Sequence, residues 1–191
     1  MDTSSVGEWP EWEYSTKKRI VALVLGSILF FVIIPLLLVL SSLALDYWLR
    51  LPRFVFGLLN LLIGLLLFMV PGLLLAAWAI HAQIVLGRGT PVPMMPPKKL
   101  IVQGPYAYCR NPMVLGEILY YLGIAILIGS FATVGFTFLL TAYFLISIKV
   151  VDEKKLEQRF GSNYLEYKLH TPFMIPRPRQ KKQRYWSGYS G

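Results

Sequence analysis

The stretch IVALVLGSILFFVIIPLLLVLSSLAL, residues 20–45, runs for about 26 residues without a charged side chain. As a helix it would rise roughly 39 Å, which is enough to cross a bilayer with some tilt. Pro35 is tolerable there, because a helix in lipid keeps most of its backbone hydrogen bonds internal. The run is too long for a signal-peptide core alone, and no A-x-A-like cleavage site follows it closely. We therefore expect a retained membrane span.

Composition supports the same environment for the rest of the chain. Of the 191 residues 55% are hydrophobic and 15% are charged, and the mean hydropathy is +0.56. Three further apolar runs cover residues 54–86, 114–128 and 131–151. The sequence predicts an all-α fold, a multi-pass transmembrane helical bundle of four spans. A fifth span stays open as an alternative, because Pro71-Gly72 interrupts the second run.

The last two runs are separated only by Gly129 and Ser130. So short a connection predicts an antiparallel helical pair. The third run has only about 15 to 17 residues against the usual ~20, so its start is expected to lie partly in protein or at the interface.

Lysine and arginine indicate the orientation, because they collect on the cytoplasmic side near the ends of spans. Only Arg50 and Arg53 lie after the first run, where Asp46 offsets part of their charge. We therefore expect both termini to be cytoplasmic. The cations on that side are Lys17, Lys18, Arg19, Arg88, Lys98, Lys99, Arg110, Lys149, Lys154, Lys155, Arg159 and those of RPRQKKQRYW, residues 177–186.

The formal net charge of +9 raises the question of a nucleic-acid partner. The basic residues flank apolar spans and form no recognisable nucleic-acid module, so we expect contact with anionic lipid headgroups and no nucleic acid. Cys109 is the only cysteine, which excludes an internal disulfide and a cysteine-based zinc cluster. With two histidines in the chain, no catalytic metal is predicted.

Two polar segments remain once the spans are assigned: LIVQGPYAYCRNPMVLGE, residues 100–117, and VVDEKKLEQRFGSNYLEYKLHTPFMIP, residues 150–176. The predicted helical pair places both segments on the cytoplasmic side, where they would close over one another. The sequence therefore predicts a polar site at the membrane interface.

The first segment combines a turn with the start of a helix. Gly104-Pro105 makes the turn, and Tyr106 and Tyr108 supply flat apolar faces. Asn111-Pro112 begins a helix whose free backbone amides attract a carboxylate or a phosphate. This segment is therefore a candidate anion site.

Two charged residues flank this helix start. Arg110 carries a planar cation suited to binding a carboxylate through two hydrogen bonds. Glu117 lies about two turns inside the run, where an acid is costly unless it is paired, protonated or facing a cavity. An Arg110–Glu117 ion pair is therefore the structural alternative to a ligand site.

The second segment begins with two adjacent acids, Asp152 and Glu153. Neighbouring residues on a helix point about 100° apart, so at most one of these acids can face the site squarely. The alternative is that both mark the membrane boundary and pair with the neighbouring lysines.

The ordered set of motifs resembles the isoprenylcysteine carboxyl methyltransferase family, within the wider group of integral-membrane methyltransferases that includes phospholipid methyltransferases. That family has a Gly-x-Tyr turn, then Arg-His/Asn-Pro-x-Tyr-x-Gly, a short helical pair, two acids and a Phe-Gly-x-x-Tyr-x-x-Tyr-x-x-x-x-Pro ending. The resemblance covers residues 100–176, and Val114 and Asp152 depart from the pattern, which usually has Tyr and Glu. The matching residues are Gly104, Pro105, Tyr106, Arg110, Asn111, Pro112, Gly116, Glu153, Phe160, Gly161, Tyr164, Tyr167 and Pro172.

The resemblance implies S-adenosylmethionine as methyl donor, in a cytoplasm-facing pocket formed by the loop before the third span and the C-terminal segment. Arg110 and Glu153 would be the catalytic pair: Arg110 would position a carboxylate, and Glu153 would bind a donor group or orient Arg110. The implied cofactor-binding residues are Gln103, Gly104, Pro105, Tyr106, Tyr108, Asn111, Pro112, Glu117, Tyr164 and Tyr167.

The implied reaction is carboxyl methylation of a C-terminal isoprenylated cysteine or a similar lipidic carboxylate. Methylation of a phospholipid headgroup amine is the first alternative, and a non-catalytic membrane scaffold or transporter is the second. The chain would then divide into an N-terminal segment (1–19), a transmembrane scaffold (20–88), a methyltransferase catalytic region (89–176) and a basic tail (177–191).

Overall fold

The structure is a computed structural model that describes residues 16–54, 56–87 and 99–178. Most of the predicted N-terminal segment, Arg88, Lys98 and the tail beyond residue 178 lie outside this description. The described residues form helices, and their only β contact is an isolated bridge between Arg53 and Ser130. The helices are α1 (Thr16–Ile28, Leu29–Ile33 and Ile34–Leu49), α2 (Leu58–Leu61, Leu62–Met69 and Val70–Val85), α3 (Pro112–Ile128), α4 (Phe131–Ser147, continued by Ile148–Asp152) and α5 (Glu153–His170).

Three stretches of helix are long and apolar enough to cross a membrane: Ile20–Leu49 in α1, Leu58–Val85 in α2 and Phe131–His170 in α4 with α5. Helix α3 is apolar but shorter, with 17 residues. The prediction of an all-α, multi-pass membrane protein is confirmed, and the described residues contain no fifth span. Large apolar side chains cover the outside of the bundle, as lipid contact requires.

Each proline inside a span follows a π-helical segment. Leu29–Ile33 lies just before Pro35, and Leu62–Met69 lies just before Pro71. Proline has no N–H, and its ring crowds the carbonyl four residues earlier, so a widened turn relieves the conflict. The second apolar run is therefore one helix that continues through Pro71.

A tyrosine of α3 replaces the hydrogen bond that Pro35 cannot make. The carbonyl four residues before Pro35 belongs to Phe31, and it accepts a hydrogen bond of 3.0 Å from the hydroxyl of Tyr120. The neighbouring carbonyl of Phe30 accepts one of 2.8 Å from the hydroxyl of Tyr121. Since a bare carbonyl in the hydrocarbon region is costly, these two hydroxyls stabilise the widened turn and join α1 to α3.

Glycines bring α2 and α3 into direct backbone contact. A Cβ atom added at Gly116 would lie 2.6 Å from the carbonyl oxygen of Gly72, and one at Gly123 would lie 2.7 Å from the carbonyl oxygen of Gly64. Membrane helices pack in this way where small residues let their backbones approach. This contact fixes the position of α3, whose N-terminus carries the polar loop.

We expect Gly123→Val to destabilise the protein by about 1–3 kcal/mol, because the new side chain forces α2 and α3 apart. Gly135→Ala on α4 is the matched control, since a Cβ there meets nothing within 4 Å. Thermal unfolding in detergent should show a lower midpoint for Gly123→Val alone. Equal midpoints for the two variants would contradict this packing.

The α3–α4 connection is the predicted antiparallel turn. Gly129 has a φ of 67° and donates its N–H to the carbonyls of Ala125 and Ile126, which ends α3. The hydroxyl of Ser130 accepts a hydrogen bond of 3.0 Å from the N–H of Thr133, which starts α4. The hairpin therefore brings the start of α3 and the end of α4 to the same end of the bundle.

Candidate functional site

The site lies where the loop before α3 meets residues 171–178, which we call the C-terminal strap. The N–H of Arg110 donates to the carbonyl of Pro172 at 2.9 Å, and the N–H of Arg177 donates to the carbonyl of Tyr108 at 3.1 Å. Between them, the side-chain amide of Asn111 donates to the carbonyl of Phe173 at 2.9 Å. These bonds hold the strap along the loop, so the two predicted polar segments do meet.

Helix α5 closes the other side of the loop. The hydroxyl of Tyr167 donates to the backbone carbonyl of Tyr106 at 2.7 Å, and both Tyr164 and Tyr167 are buried. Gly161 interrupts α5 with a φ of 53° and a ψ of −130°, a conformation that favours glycine. The break lets the second half of α5 turn toward the loop.

Arg110 and Glu153 form a buried ion pair at the centre of this arrangement. Arg110 Nη1 lies 2.7 Å from Glu153 Oε1, and the side chains are 10% and 6% exposed. Lys168 Nζ lies 3.0 Å from the other Glu153 oxygen and 2.7 Å from Glu157 Oε1. The guanidinium also stacks over the ring of Phe173 at 5.5 Å. Glu153 therefore holds the cation of Arg110 in a fixed place.

Two polar atoms of Arg110 lack a hydrogen-bond partner among the described residues: Nε, and Nη1, which is in ion-pair contact with Glu153. The Arg110 Nε is buried, and nothing in the described part of the chain accepts a hydrogen bond from it. A buried donor without a partner is costly, and a guanidinium has donors to spare beyond one carboxylate. A ligand anion would therefore gain the most binding free energy by accepting a hydrogen bond from this Nε.

The two adjacent acids have different environments. Glu153 is buried and faces Arg110, whereas Asp152 is exposed, as the 100° separation predicts. The segment Ile148–Asp152 just before Glu153 is π-helical, and such turns frequently occur at functional sites. The alternative that both acids only mark the membrane boundary is wrong for Glu153.

The alternative Arg110–Glu117 ion pair is also wrong. The backbone N–H of Arg110 bonds to the strap, and its side chain is directed to α5, where it forms an ion pair with Glu153. Glu117 is 1% exposed, and its Oε1 has no hydrogen-bond partner among the described residues. Glu117 is thus a second buried polar group without a full set of partners.

The remaining loop residues shape the turn. Gln103 is extended and half-buried before Gly104, whose φ of 61° starts a short 3₁₀ turn, Gly104–Ala107. The carbonyl of Pro105 accepts the N–H groups of Tyr108 and Cys109. Pro112 is fully buried at the first position of α3, where its missing N–H costs nothing.

The two loop tyrosines differ in exposure. Tyr106 is buried, burial raises the pKa of its phenol, and the amide of Gln83 donates to its hydroxyl. Tyr108 is 42% exposed, and its ring lies 6.3 Å from the ring of Trp78. Only Tyr108 therefore offers an open aromatic face. Asn111 occupies the N-cap position of α3 without a side-chain cap, and its amide nitrogen donates to the strap.

A cavity of about 190 Å³ opens beside Arg110. Three cations face it, which makes it suited to an anionic group. Lys168, Phe173 and Arg177 were not among the predicted site residues, and neither were Gln83 and Trp78. The cavity is lined by Ala107, Arg110, Lys168, Leu169, His170, Thr171, Pro172, Phe173, Arg177 and Pro178. Over the described ranges, no three metal-ligating side chains cluster together.

Cys109 is unsuited to act as a nucleophile. It is 1% exposed, and burial raises the pKa of its thiol from the ordinary 9.0 to about 11. The thiolate is the reactive form, and its fraction near pH 8 is about 100-fold smaller here than in an exposed cysteine.

We expect maleimide to label the folded protein much more slowly than the unfolded chain at pH 8. Equal labelling rates would contradict this burial, and the single cysteine makes the readout unambiguous.

Comparison with known proteins agrees with the resemblance seen in the motifs. A curated relative, the protein-S-isoprenylcysteine O-methyltransferase of Schizosaccharomyces pombe (strain 972 / ATCC 24843), is 35% identical over 78 residues, which are 40% of this chain and 33% of that protein. The chain thus spans about a third of the length of this relative. No solved structure matches the chain.

A family model described as phospholipid methyltransferase matches residues 59–163, from the start of α2 into the middle of α5. The match includes the loop before α3 and both members of the Arg110–Glu153 pair. The predicted membership in this group of membrane methyltransferases is confirmed. Because the match covers more than half of its 191 residues, the chain belongs to the phospholipid methyltransferase family.

Proposed function

We propose that the protein is an integral-membrane methyltransferase that transfers a methyl group from S-adenosylmethionine to a lipid-tethered carboxylate, such as that of a prenylated C-terminal cysteine. The observation that carries the proposal is the buried Arg110, fixed by Glu153 and left with an open Nε. The name of the fission-yeast relative supports this class of acceptor. The site is proposed to face the cytoplasm, where the loop cations lie.

The residues present suit S-adenosylmethionine in their chemistry. Lys168 and Arg177 would hold its carboxylate in the cavity, and the open face of Tyr108 with Trp78 would hold its adenine. The cavity of about 190 Å³ is smaller than a typical cofactor pocket of roughly 300–1,000 Å³. It would therefore receive only the amino-acid end. When bound, the sulfonium would supply an activated methyl group.

The chain's own task is alignment rather than proton transfer. A C-terminal carboxylate has a pKa near ~3.5, so it is already ionised at neutral pH and needs no general base. Arg110 would orient this carboxylate, and Glu153 would keep the guanidinium in position. Phe173 and the strap would exclude water from the guanidinium. The apolar faces of the helices would admit the lipid chain laterally.

Product identification tests the proposal. The purified protein is incubated with methyl-labelled S-adenosylmethionine and either N-acetyl-farnesylcysteine or phosphatidylethanolamine, and the products are identified by mass spectrometry. We expect a base-labile methyl ester of farnesylcysteine. A labelled amine lipid without any ester would overturn the carboxylate proposal.

Methylation of a phospholipid amine is the second candidate function. The description of the matching family favours it, and so does Glu117, whose buried Oε1 is open to accept a proton. An amine must lose a proton on methylation, so this reaction would need such a base. Glu117→Gln should abolish amine methylation but lower ester formation much less, because the ester reaction uses no base and glutamine keeps a polar side chain at this position of the donor site.

A further inference from the structure

A second polar cavity lies at the opposite end of the bundle. Its volume is about 580 Å³, and it is lined by Asp46, Tyr47, Trp48 and Arg50. These residues end α1, next to the connection where the N–H of Phe54 bonds to the carbonyl of Gly129. The Arg110–Glu153 pair lies at the other ends of α3 and α4. The two cavities are therefore separated by the length of the spans.

Asp46 is the unusual member of this group. It is 5% exposed, and neither Oδ1 nor Oδ2 has a hydrogen-bond partner in the ranges that the structure describes. A carboxylate held in apolar surroundings needs a cation or several donors. Both oxygens are shielded from water and unpartnered, so a ligand group that reaches them with a positive charge and several donors would offset the cost of burying this carboxylate.

Arg50 does not supply that cation. It follows Asp46 by four residues, a spacing at which an ion pair is common on a helix. Here Arg50 lies beyond the helix end in the left-handed region, with a φ of 50° and a ψ of 42°, and no ion pair with Asp46 forms among the described residues. Its side chain is exposed. Because the strained backbone of Arg50 keeps its side chain away from Asp46, the charges of both residues can pair with a ligand instead.

The chemistry around Asp46 favours a primary ammonium group. The last carbonyls of α1 carry negative partial charge, which attracts a cation. The N–H groups of Arg50 and Leu51 both donate to one of these carbonyls, that of Asp46. Tyr47 and Trp48 are 83% and 84% exposed, and aromatic faces attract cations. An ammonium ion has three N–H donors, enough for both carboxylate oxygens. One carboxylate alone is too few ligands for a divalent metal ion.

Arg50 and the aromatic residues identify the rest of the ligand. An exposed guanidinium at a membrane boundary suits a phosphate, and exposed tyrosine and tryptophan lie typically at headgroup depth. We propose that this cavity binds the headgroup of a zwitterionic phospholipid with a primary amine, with Asp46 accepting from the ammonium and Arg50 donating to the phosphate. This lipid site is independent of the methyl-transfer proposal.

Native mass spectrometry of the intact protein in detergent tests the site. Phosphatidylethanolamine, phosphatidylcholine and phosphatidylglycerol are added separately, since only the first carries a primary amine. We expect at least fivefold tighter binding of phosphatidylethanolamine to the wild type than of the other two lipids. Equal binding of all three would overturn the proposal.

Substitutions at Asp46 and Arg50 test the binding of the ammonium and of the phosphate separately. Asp46→Asn should lower phosphatidylethanolamine binding at least fivefold, to the level of phosphatidylglycerol, and Asp46→Glu should retain most of it. Arg50→Gln should weaken both lipids, because both carry a phosphate. Glu166→Gln and Arg53→Gln are the charge-matched controls at exposed positions. Unchanged phosphatidylethanolamine binding in folded Asp46→Asn protein would contradict the assignment.

Discussion

Arg110→Gln is expected to lower the rate of methyl transfer at least 100-fold while leaving a folded protein. Glutamine keeps a polar side chain near Glu153 but loses the cation and the planar fork that orient a carboxylate. A misplacement of about 1 Å in the reacting groups is enough to cost roughly 100-fold in rate. The measurement is turnover with labelled S-adenosylmethionine and farnesylcysteine.

Arg159→Gln is the matched control for Arg110→Gln. Arg159 lies on α5 and stacks over the ring of Phe160 at 5.4 Å, so its loss should leave turnover within about twofold. Arg110→Lys should recover only a small part of the activity, because an ammonium cannot make two parallel hydrogen bonds. Full turnover in Arg110→Gln would remove the central residue of the proposed mechanism.

Glu153→Ala is expected to destabilise the protein by about 3–5 kcal/mol, because it leaves the buried guanidinium of Arg110 without its carboxylate. Asp152→Ala, one position earlier and exposed, should change the stability by no more than about 0.5 kcal/mol. Thermal or denaturant unfolding in one detergent gives both values.

A double-mutant cycle shows whether this cost belongs to the ion pair. The double variant Arg110→Met with Glu153→Ala should be less destabilised than the sum of the two single variants, since no unpaired charge remains. Additive effects would mean that the two residues contribute separately, in conflict with the 2.7 Å contact.

The helices of the bundle were predictable from the sequence because uninterrupted apolar runs report membrane burial directly. The second run, predicted over residues 54–86, forms the helix Leu58–Val85, and α3 begins at Pro112, where Asn111-Pro112 predicted a helix start ahead of the apolar run. The fourth was predicted to end near residue 151, yet helix continues to His170. The last part of this helix is polar, so hydropathy alone could not show that it stays helical up to the point where it packs against the loop.

The π-helical segments could not be predicted in the same way. A proline at position 35 indicates a local conflict, but its relief depends on the hydroxyls of Tyr120 and Tyr121 from another helix. Contacts between distant parts of the chain leave no local pattern to read.

Both members of the central ion pair were named as site residues from the motifs, and the 100° argument predicted that only one of the acids would face inward. The Arg110–Glu153 contact itself could not be derived, because the competing Arg110–Glu117 pair was equally allowed by spacing. The roles of Lys168, Phe173 and Arg177 depend on how the strap folds against the loop.

Calorimetric titration with S-adenosylhomocysteine is the most direct test of the central claim that the loop and strap around Arg110 and Glu153 form a methyl-donor site. It is performed on the purified wild type and on folded Lys168→Gln, Arg110→Gln and Arg159→Gln proteins. We predict saturable binding to wild type and Arg159→Gln, and at least tenfold weaker binding to Lys168→Gln, whose lost cation faces the cavity. No binding to folded wild-type protein, or equal binding to all four proteins, would contradict the claim.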